Sequence, residues 1–275
     1  MPSSNYNSAR SCRIDIHTHV FHEKIAEKAV QHLADHYKLG QPYRGTAADL
    51  KEKLDAAGID KAVALCAATN AAQVIPANNW AIAMKKNYPH FIPFGTLHTD
   101  YADWKSEMDR LYEAGIRGLK FHPDFQKIDM LNPVLYDMME EAKGKFTVLF
   151  HVGDVFPPEV NYSSPQKLAK ILKAVPGIEV VAAHLGGYRH WPWVVESLKG
   201  LDFYMDTSSS LLYIDDENLN NIMNNFPHDR FLFGSDYPIG DPAREVGLVK
   251  KRLGFTDDEL DKLFTRASGL IGLQG

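Results

Sequence analysis

A histidine pair near the N-terminus has the spacing of a metal site. The segment Ile14-Asp15-Ile16-His17-Thr18-His19 places two imidazoles two residues apart. Because alternate residues of a β-strand point to the same side, the side chains of His17 and His19 would project together. Neutral imidazole nitrogens are preferred ligands of Zn²⁺ and related ions. Taken alone, the pair is equally consistent with two ordinary polar residues at a strand end.

Other candidate ligands stand at the ends of other predicted strands. Asp236 follows the last predicted strand. In barrel enzymes, active sites are built where the strands end. Three or four imidazoles and one carboxylate can hold a divalent ion while leaving a position for water. The combination therefore predicts a metal site much more specifically than the first pair does. Six of the twelve histidines stand at such positions: His17, His19, His98, His122, His151 and His184.

The elements that must position these residues form a repeating pattern. Short runs rich in Val, Ile, Leu and Phe lack polar alternation, which is typical of parallel strands buried on both faces. Each is followed by an amphipathic stretch, giving eight strand–helix units. Eight such units close into a barrel, whereas a doubly wound sheet usually has about five to seven strands. The predicted strands are 13–17, 62–66, 91–97, 116–121, 147–151, 179–183, 201–206 and 230–235.

We therefore expect an α/β protein with one domain, a (β/α)₈ TIM barrel spanning residues 1–275, in which 1–11 form a flexible tail. Two helices are predicted before the second strand, so 38–46 would be a loop insertion over one barrel face. Thr46, Ser164 and Asp216 are predicted helix N-caps. The predicted helices are 23–39, 46–57, 77–87, 104–114, 133–142, 164–174, 193–199, 217–225 and a region from 242 to 273.

Composition excludes several classes of protein. The chain has 275 residues, 45% of them hydrophobic, and a net charge of −5. Lys and Arg are dispersed, so no nucleic-acid partner is expected. No run approaches about 18 apolar residues, and Cys12 and Cys66 show no paired spacing. We expect a cytoplasmic protein with free thiols and a small-molecule substrate, and no association with a membrane.

The ordered motifs resemble those of the amidohydrolase superfamily. More narrowly, they resemble the amidohydrolase-related group that includes aminocarboxymuconate-semialdehyde decarboxylase and 2-pyrone-4,6-dicarboxylate lactonase. The resemblance extends from the first strand to 267–273. The motifs are His17-Thr18-His19, Gly118-Leu119-Lys120-Phe121-His122-Pro123, His151, His184-Leu185-Gly186-Gly187 and Gly234-Ser235-Asp236-Tyr237-Pro238.

The resemblance implies a (β/α)₈ barrel with one divalent metal held by His17, His19, His151 and Asp236. The nitrogen-rich ligand set favours Zn²⁺, with Mn²⁺, Fe²⁺ or Co²⁺ as alternatives. His184 would be a ligand of a second metal or a catalytic residue beside the first. A homodimer is common in the related group.

Lys120 occupies a place comparable to the fourth-strand lysine that bridges two metals, when carboxylated, in binuclear amidohydrolases. Because one metal is usual in the related group, a lysine that binds an anionic substrate group is the favoured interpretation. His122 could be a substrate contact or a loop residue. Arg189 and His190 are candidate substrate contacts on the loop after the sixth strand. The histidines on predicted helices, His36 among them, are expected to be solvated.

The function expected from these residues is metal-dependent hydrolysis of a small amide, ester or lactone. Asp236 would accept a proton from water, and His184 would stabilise the developing oxyanion or assist that transfer. The alternative is non-oxidative decarboxylation of a small carboxylic acid by the same ligands. Decarboxylases of the group tend to be longer, with larger insertions after the first strand, which favours hydrolysis.

Two further classes are disfavoured. TatD-type nucleases also begin with a His-x-His pair, but they carry a glutamate at the fourth strand where this chain has Lys120. A binding module stabilised by metal, without catalysis, is the remaining alternative. In that case, metal removal would alter thermal stability and abolish no reaction.

Overall fold

The computed structural model describes residues 11–40 and 42–271. Apart from residue 11, the predicted tail lies outside the described residues. Within them, strands and helices alternate along the chain as the sequence predicts. Nine strand segments are found in these ranges: β1 (Ile14–His19), β2 (Lys61–Leu65), β3 (Phe91–Pro93), β4 (Gly95–Thr96), β5 (Gly118–Phe121), β6 (Thr147–Phe150), β7 (Glu179–Ala182), β8 (Tyr204–Asp206) and β9 (Phe231–Leu232).

The nine segments occupy the eight positions of a TIM barrel. β3 and β4 are two halves of the third barrel strand, interrupted at Phe94. The first half pairs in parallel with β2 and the second with β5. Every other strand pairs in parallel with its neighbour in the chain. Ile16 N–H donates to the carbonyl of Phe233 at 2.9 Å, and Asp236 N–H to that of His17 at 2.8 Å. These bonds join β1 to the end of β9 and close the barrel.

Two apolar layers hold the barrel together. The inner layer includes Ile14, Ile16, Leu149 and Val181, which fill the interior of the barrel. The outer layer is larger and lies between the strands and the surrounding helices. Since both faces of the strands are buried, their sequences read as continuous apolar runs. The C-terminal segment, including Leu270, packs against the inner layer and closes the end opposite the strand C-termini.

Most helices agree with the predicted pattern apart from small differences at their ends. The short helix Pro123–Gln126 was not predicted, and the region predicted from 242 to 273 contains three helices in its described part. Thr46 and Ser164 are N-caps, as predicted. The prediction for Asp216 was wrong by one residue, because the side chain of Asp215 accepts the Asn218 N–H. None of the helices in the described residues is long and apolar enough to cross a membrane. The helices are α1 (Glu23–Tyr37), α2 (Ala47–Ala57), α3 (Val74–Asn87), α4 (Trp104–Glu113), α5 (Pro123–Gln126), α6 (Pro133–Ala142), α7 (Pro165–Ala174), α8 (Val194–Leu198), α9 (Asp216–Asn225), α10 (Pro242–Leu253), α11 (Asp257–Thr265) and α12 (Ala267–Leu270).

Helix α1 is the element that separates this barrel from a plain strand–helix repeat. It precedes α2, and both helices lie between β1 and β2. Its C-terminal end carries His36 and Tyr37, which contact residues at the ends of β5 and β6. The loop that follows is tied to the end of β9, where Tyr43 N–H donates to the Pro238 carbonyl at 3.0 Å. The insertion therefore lies over the end of the barrel where the strands terminate, which we call the mouth.

Candidate metal centre

A β-bulge in β1 aims the histidine pair into the mouth. The register between β1 and β2 shifts between Asp15 and Thr18, so one extra residue is accommodated there. The bulge frees the backbone N–H of His17 from sheet pairing, and Oδ1 of the buried Asp15 side chain accepts it at 3.1 Å. The same oxygen accepts the Ser235 N–H at 3.0 Å. A bulge that re-aims a side chain is a common feature next to active sites.

Three candidate ligands converge at the centre of the mouth. The Nε2 atoms of His17 and His19 are 3.2 Å apart, and each lies 3.4 Å from Oδ1 of Asp236. The ligand atoms of ions such as Zn²⁺ lie about 2.0–2.2 Å from the metal, so ligands at these separations can share one ion. Only about 13% of the His19 side chain is exposed, and less of the other two. We call these three residues the metal centre.

The backbone around Asp236 is held in an unusual conformation. Its φ is +58°, in the left-handed region that favours glycine, and such strain persists only where the surroundings enforce it. Its N–H donates to the His17 carbonyl, and its Oδ2 accepts the hydroxyl of Ser209 at 2.5 Å. Burial alone would raise the pKa of Asp236, but the nearby imidazoles of His17, His19 and His184 outweigh it and lower the pKa. The carboxylate is therefore ionised, and these hydrogen bonds hold it in place as the third candidate ligand.

Asp206 sets the tautomer of His17. Its Oδ2 lies 2.9 Å from Nδ1 of His17, so the ring donates its Nδ1–H there and leaves the lone pair of Nε2 facing the metal centre. Burial lowers the pKa of His17 to about 4, and the Lys120 ammonium adds to this. Burial would raise the pKa of Asp206, but hydrogen bonds and charge from His17 hold it at about 2. A neutral imidazole beside a carboxylate is the arrangement that a metal ligand requires.

His184 and His151 form the adjoining pair. Nδ1 of His184 lies 2.9 Å from the Ser208 carbonyl, so it carries the proton and Nε2 is an acceptor. Nδ1 of His151 lies 2.9 Å from that Nε2 and donates to it. Nε2 of His151 is then an unprotonated buried atom, and it has no hydrogen-bond partner among the described residues. An unsatisfied buried acceptor is costly unless a ligand completes it.

This donor set fits a divalent metal. The metal centre offers two imidazole nitrogens and one ionised carboxylate whose ligand atoms all lie within 4.8 Å of one another. The unsatisfied Nε2 of His151 is a further donor in the mouth. His151 is not a member of that close group, and instead shares a second one with His122 and Asp124. A third group joins His17, His184 and Asp206, in which the atoms between His17 and Asp206 already form a hydrogen bond.

Lys120 lies at the floor of the mouth. It is fully buried on β5, and its Nζ is 3.4 Å from Nε2 of His17. Burial lowers the pKa of the ammonium to about 8, although the carboxylates of Asp236 and Asp206 oppose the shift. The predicted substrate lysine therefore lies directly beside the metal centre.

The other predicted substrate contacts lie in different surroundings. His122 stacks on His151, with ring centroids 3.8 Å apart, and so lines the mouth. Arg189 is exposed at the rim, with its guanidinium 5.4 Å from the ring centre of Tyr188. His190 is buried, and its Nε2 lies 2.7 Å from the Phe156 carbonyl, so it ties down the loop between β6 and α7. His98, whose Nε2 lies 3.0 Å from the Gln126 carbonyl, is outside the three groups of candidate ligands.

Several residues of the site escaped the sequence analysis. Asp206 ends the predicted seventh strand, and that position was a signal that could have found it. Asp15 and Tyr37 carried no such signal, because their roles depend on a bulge and on a long-range contact. His36 is exposed at the C-terminal end of α1, as the sequence predicts, and its Nε2 lies 3.4 Å from Oδ2 of Asp154.

Comparison with known proteins identifies the family to which the chain belongs. A family model described as Amidohydrolase matches residues 14–267. The chain therefore belongs to the amidohydrolase family. It is an enzyme of the amidohydrolase superfamily, built on a single TIM barrel. No curated protein matches the chain.

Solved structures resemble it over nearly their full lengths. An uncharacterized TIM-barrel protein from Bordetella bronchiseptica has a TM-score of 0.74 and 20% identity, and the match covers 94% of this chain and 98% of the Bordetella chain. A Pseudomonas putida protein described as a 2-pyrone-4,6-dicarboxylic acid hydrolase has a TM-score of 0.68 and 16% identity, covering 96% and 98%. A variant 5-carboxyvanillate decarboxylase from Novosphingobium aromaticivorans, with bound manganese, has a TM-score of 0.67 and 14% identity, covering 95% and 97%. At these identities the likeness shows the fold alone.

Proposed function

We propose that this protein is a metal-dependent hydrolase of a small amide, ester or lactone. The observation that carries the proposal is the convergence of Nε2 of His17, Nε2 of His19 and Oδ1 of Asp236 in a buried mouth. These three residues would hold the metal, with His151 as the fourth ligand. The nitrogen-rich set favours Zn²⁺. The manganese in the Novosphingobium decarboxylase supports Mn²⁺ as the first alternative, before Fe²⁺ and Co²⁺.

A divalent metal in this position lowers the pKa of water and polarises a carbonyl oxygen. The protein supplies the proton transfers. The ionised carboxylate of Asp236 accepts a proton from the attacking water at one oxygen and returns it to the leaving group. Ser209 donates to Oδ2 and keeps the carboxylate oriented during the transfer.

His184 assists from the other side of the mouth. Its Nδ1–H is held by the Ser208 carbonyl and its Nε2 accepts the Nδ1–H of His151, so Nε2 can accept a proton from the substrate side only when the contact with His151 is exchanged for one with the substrate. Once protonated there, it becomes a donor that stabilises negative charge on the substrate oxygen. The tautomer therefore favours proton transfer as the first role of His184, with oxyanion stabilisation following from it.

The substrate side of the mouth carries cationic and donor groups. Lys120 at the floor and Arg189 at the rim would bind anionic groups of the substrate. His122 lines the wall between them. Since His190 is bound within a loop, we expect it to shape the pocket through that loop more than by direct contact. A small ester or lactone that also carries a carboxylate group fits these side chains best.

The second candidate is a non-oxidative decarboxylase that uses the same ligands. The buried Lys120 ammonium beside the metal centre favours it, because this cation could hold a carboxylate that is about to leave as CO₂. The resemblance in fold to a 5-carboxyvanillate decarboxylase also supports it. The two functions consume different substrates and release different products.

The test uses protein loaded with Zn²⁺ or Mn²⁺. Aromatic lactones, acetyl and aryl esters and small amides are followed by acid release, and hydroxylated aromatic acids by CO₂ release. Hydrolysis that requires metal and is lost in Asp236→Asn supports the proposal. CO₂ release without hydrolysis would replace it with the second candidate, and a metal-free protein with full activity would refute both.

A further inference from the structure

The C-terminal end of α1 lies across the mouth and contributes a hydroxyl group to it. The Tyr37 hydroxyl lies 3.3 Å from Nε2 of His122, which stacks on His151. The Tyr37 ring also contacts those of Tyr188 and Phe125, with centroids 5.9 and 5.8 Å apart. The buried residues of α1 are small, Ala26, Val30 and Ala34, and aromatic contacts from its C-terminal end attach it to the mouth.

The direction of the hydrogen bond to His122 follows from the backbone. The Phe125 N–H donates to Nδ1 of His122 at 3.3 Å, so Nδ1 carries no proton. The proton of the neutral ring is then on Nε2, which donates to the hydroxyl oxygen of Tyr37. The hydroxyl of Tyr37 keeps its own proton for another acceptor, and none is found for it among the described residues.

That proton stays on the oxygen under ordinary conditions. Burial raises the pKa of Tyr37 well above 10, and the carboxylates of Asp154 and Asp236 add to the shift. A neutral donor in a mostly closed mouth has two possible partners, water or a substrate oxygen.

We propose that Tyr37 is a specificity-determining residue that donates its hydroxyl hydrogen bond to a carbonyl or carboxylate oxygen of the bound substrate. The inference rests on the proposed function, since it needs a substrate in this mouth. His122 acts through Tyr37, because its Nε2–H fixes the hydroxyl as a donor toward the substrate. Helix α1 therefore contributes to recognition as well as covering the site.

The experiment compares Tyr37→Phe with a matched control, Tyr136→Phe. The first change removes the hydroxyl and keeps the ring that contacts Tyr188 and Phe125. The second removes a hydroxyl from α6, at a residue that makes no hydrogen bond or ring contact with the mouth in the described part of the chain. Both variants and the wild type are loaded with Zn²⁺. Dihydrocoumarin hydrolysis is measured by steady-state kinetics and acetohydroxamate binding by calorimetry, with thermal melting as a check on folding.

We expect Tyr37→Phe to lower kcat/KM for dihydrocoumarin about 5- to 10-fold and to weaken acetohydroxamate binding by a similar factor, with an unchanged melting temperature. Tyr136→Phe should match the wild type in both assays. If both variants match the wild type, the role of Tyr37 is overturned while the proposed function stands. A wild-type protein that neither hydrolyses dihydrocoumarin nor binds acetohydroxamate overturns both.

Discussion

Replacing Asp206 with Asn tests how the protein prepares His17 for a metal. Three donors reach Oδ1 of Asp206: the backbone N–H groups of His184 and Ser208 and the Ser208 hydroxyl. The amide oxygen of Asn would keep this position, because the NH₂ group cannot accept those bonds. The NH₂ group would then face Nδ1 of His17, which now lies 2.9 Å from Oδ2.

Two donors cannot share that contact, so the proton of His17 would move to Nε2, the atom that faces the metal centre. Before a metal could bind at Nε2, the proton would have to move back to Nδ1. There it would no longer make the charge-assisted hydrogen bond to Asp206, which is worth about 1.5–3 kcal/mol. At about 1.4 kcal/mol per tenfold change, this corresponds to roughly 10- to 100-fold weaker metal binding. Loss of a carboxylate behind a histidine ligand typically has an effect of about that size.

The assay is competition for Zn²⁺ against a chromogenic chelator, with histidine nitrogen NMR to identify the protonated atom of His17. Asp202→Asn is the control, because Asp202 precedes the same strand but is exposed and pairs with Arg230 on the surface. The control should bind Zn²⁺ as the wild type does. Wild-type affinity in Asp206→Asn, or a proton that remains on Nδ1 of His17, would refute the reasoning.

Three further predictions follow from the site and its surroundings. Asp236→Asn should reduce turnover at least 100-fold with the melting temperature retained, measured on whichever lactone or ester the wild type hydrolyses; a rate within a few-fold of wild type would contradict its role in proton transfer. Burial raises the pKa of Glu245 to about 7 from its usual 4.5. Ionising this carboxyl group therefore lowers the free energy of unfolding, which is highest below pH 4.5 and falls as the pH rises to 7. Urea unfolding of Glu245→Gln should therefore shift in favour of the variant by about 3 kcal/mol between pH 4.5 and 8, and a parallel pH dependence would show that Glu245 is not the cause. Chelation of the metal should lower the melting temperature as well as abolish activity, because a metal that binds only the folded state stabilises that state. Zn²⁺ should restore both, and an unchanged melting temperature would argue against binding at this buried centre.

The barrel was predictable because its signals are local. The run from Thr147 to Phe150 is apolar on both faces, which indicates a strand covered on both sides, and similar runs recur at each barrel position. The break at Phe94 was missed, although Pro93 and Gly95 on either side of it were signals of an interrupted strand. The helical region predicted from 242 to 273 contains three helices within the described residues. Gly254, with φ +65°, ends the first, and a capping box from Thr256 to Glu259 starts the second.

The candidate site divides in a similar way. His17, His19, His151, His184 and Asp236 were identified as candidates because strand C-terminal ends gather at one rim of a barrel, and all five are at the mouth of the structure. Their roles as ligands and catalysts stay predictions. The pairing of His151 with His184, and its separation from the close group around Asp236, depends on rotamers that spacing does not encode.

By itself, the sequence determined the type of barrel and the rim at which imidazoles and a carboxylate collect, because both follow from the period of the strands and their order. Tertiary structure decided which nitrogen of each ring carries a proton and that Tyr37 of α1 reaches the mouth. Those properties depend on partners such as Asp206, 189 residues away from His17 in the chain. Such contacts form only when the closed barrel brings distant strand ends to within about 3 Å of each other.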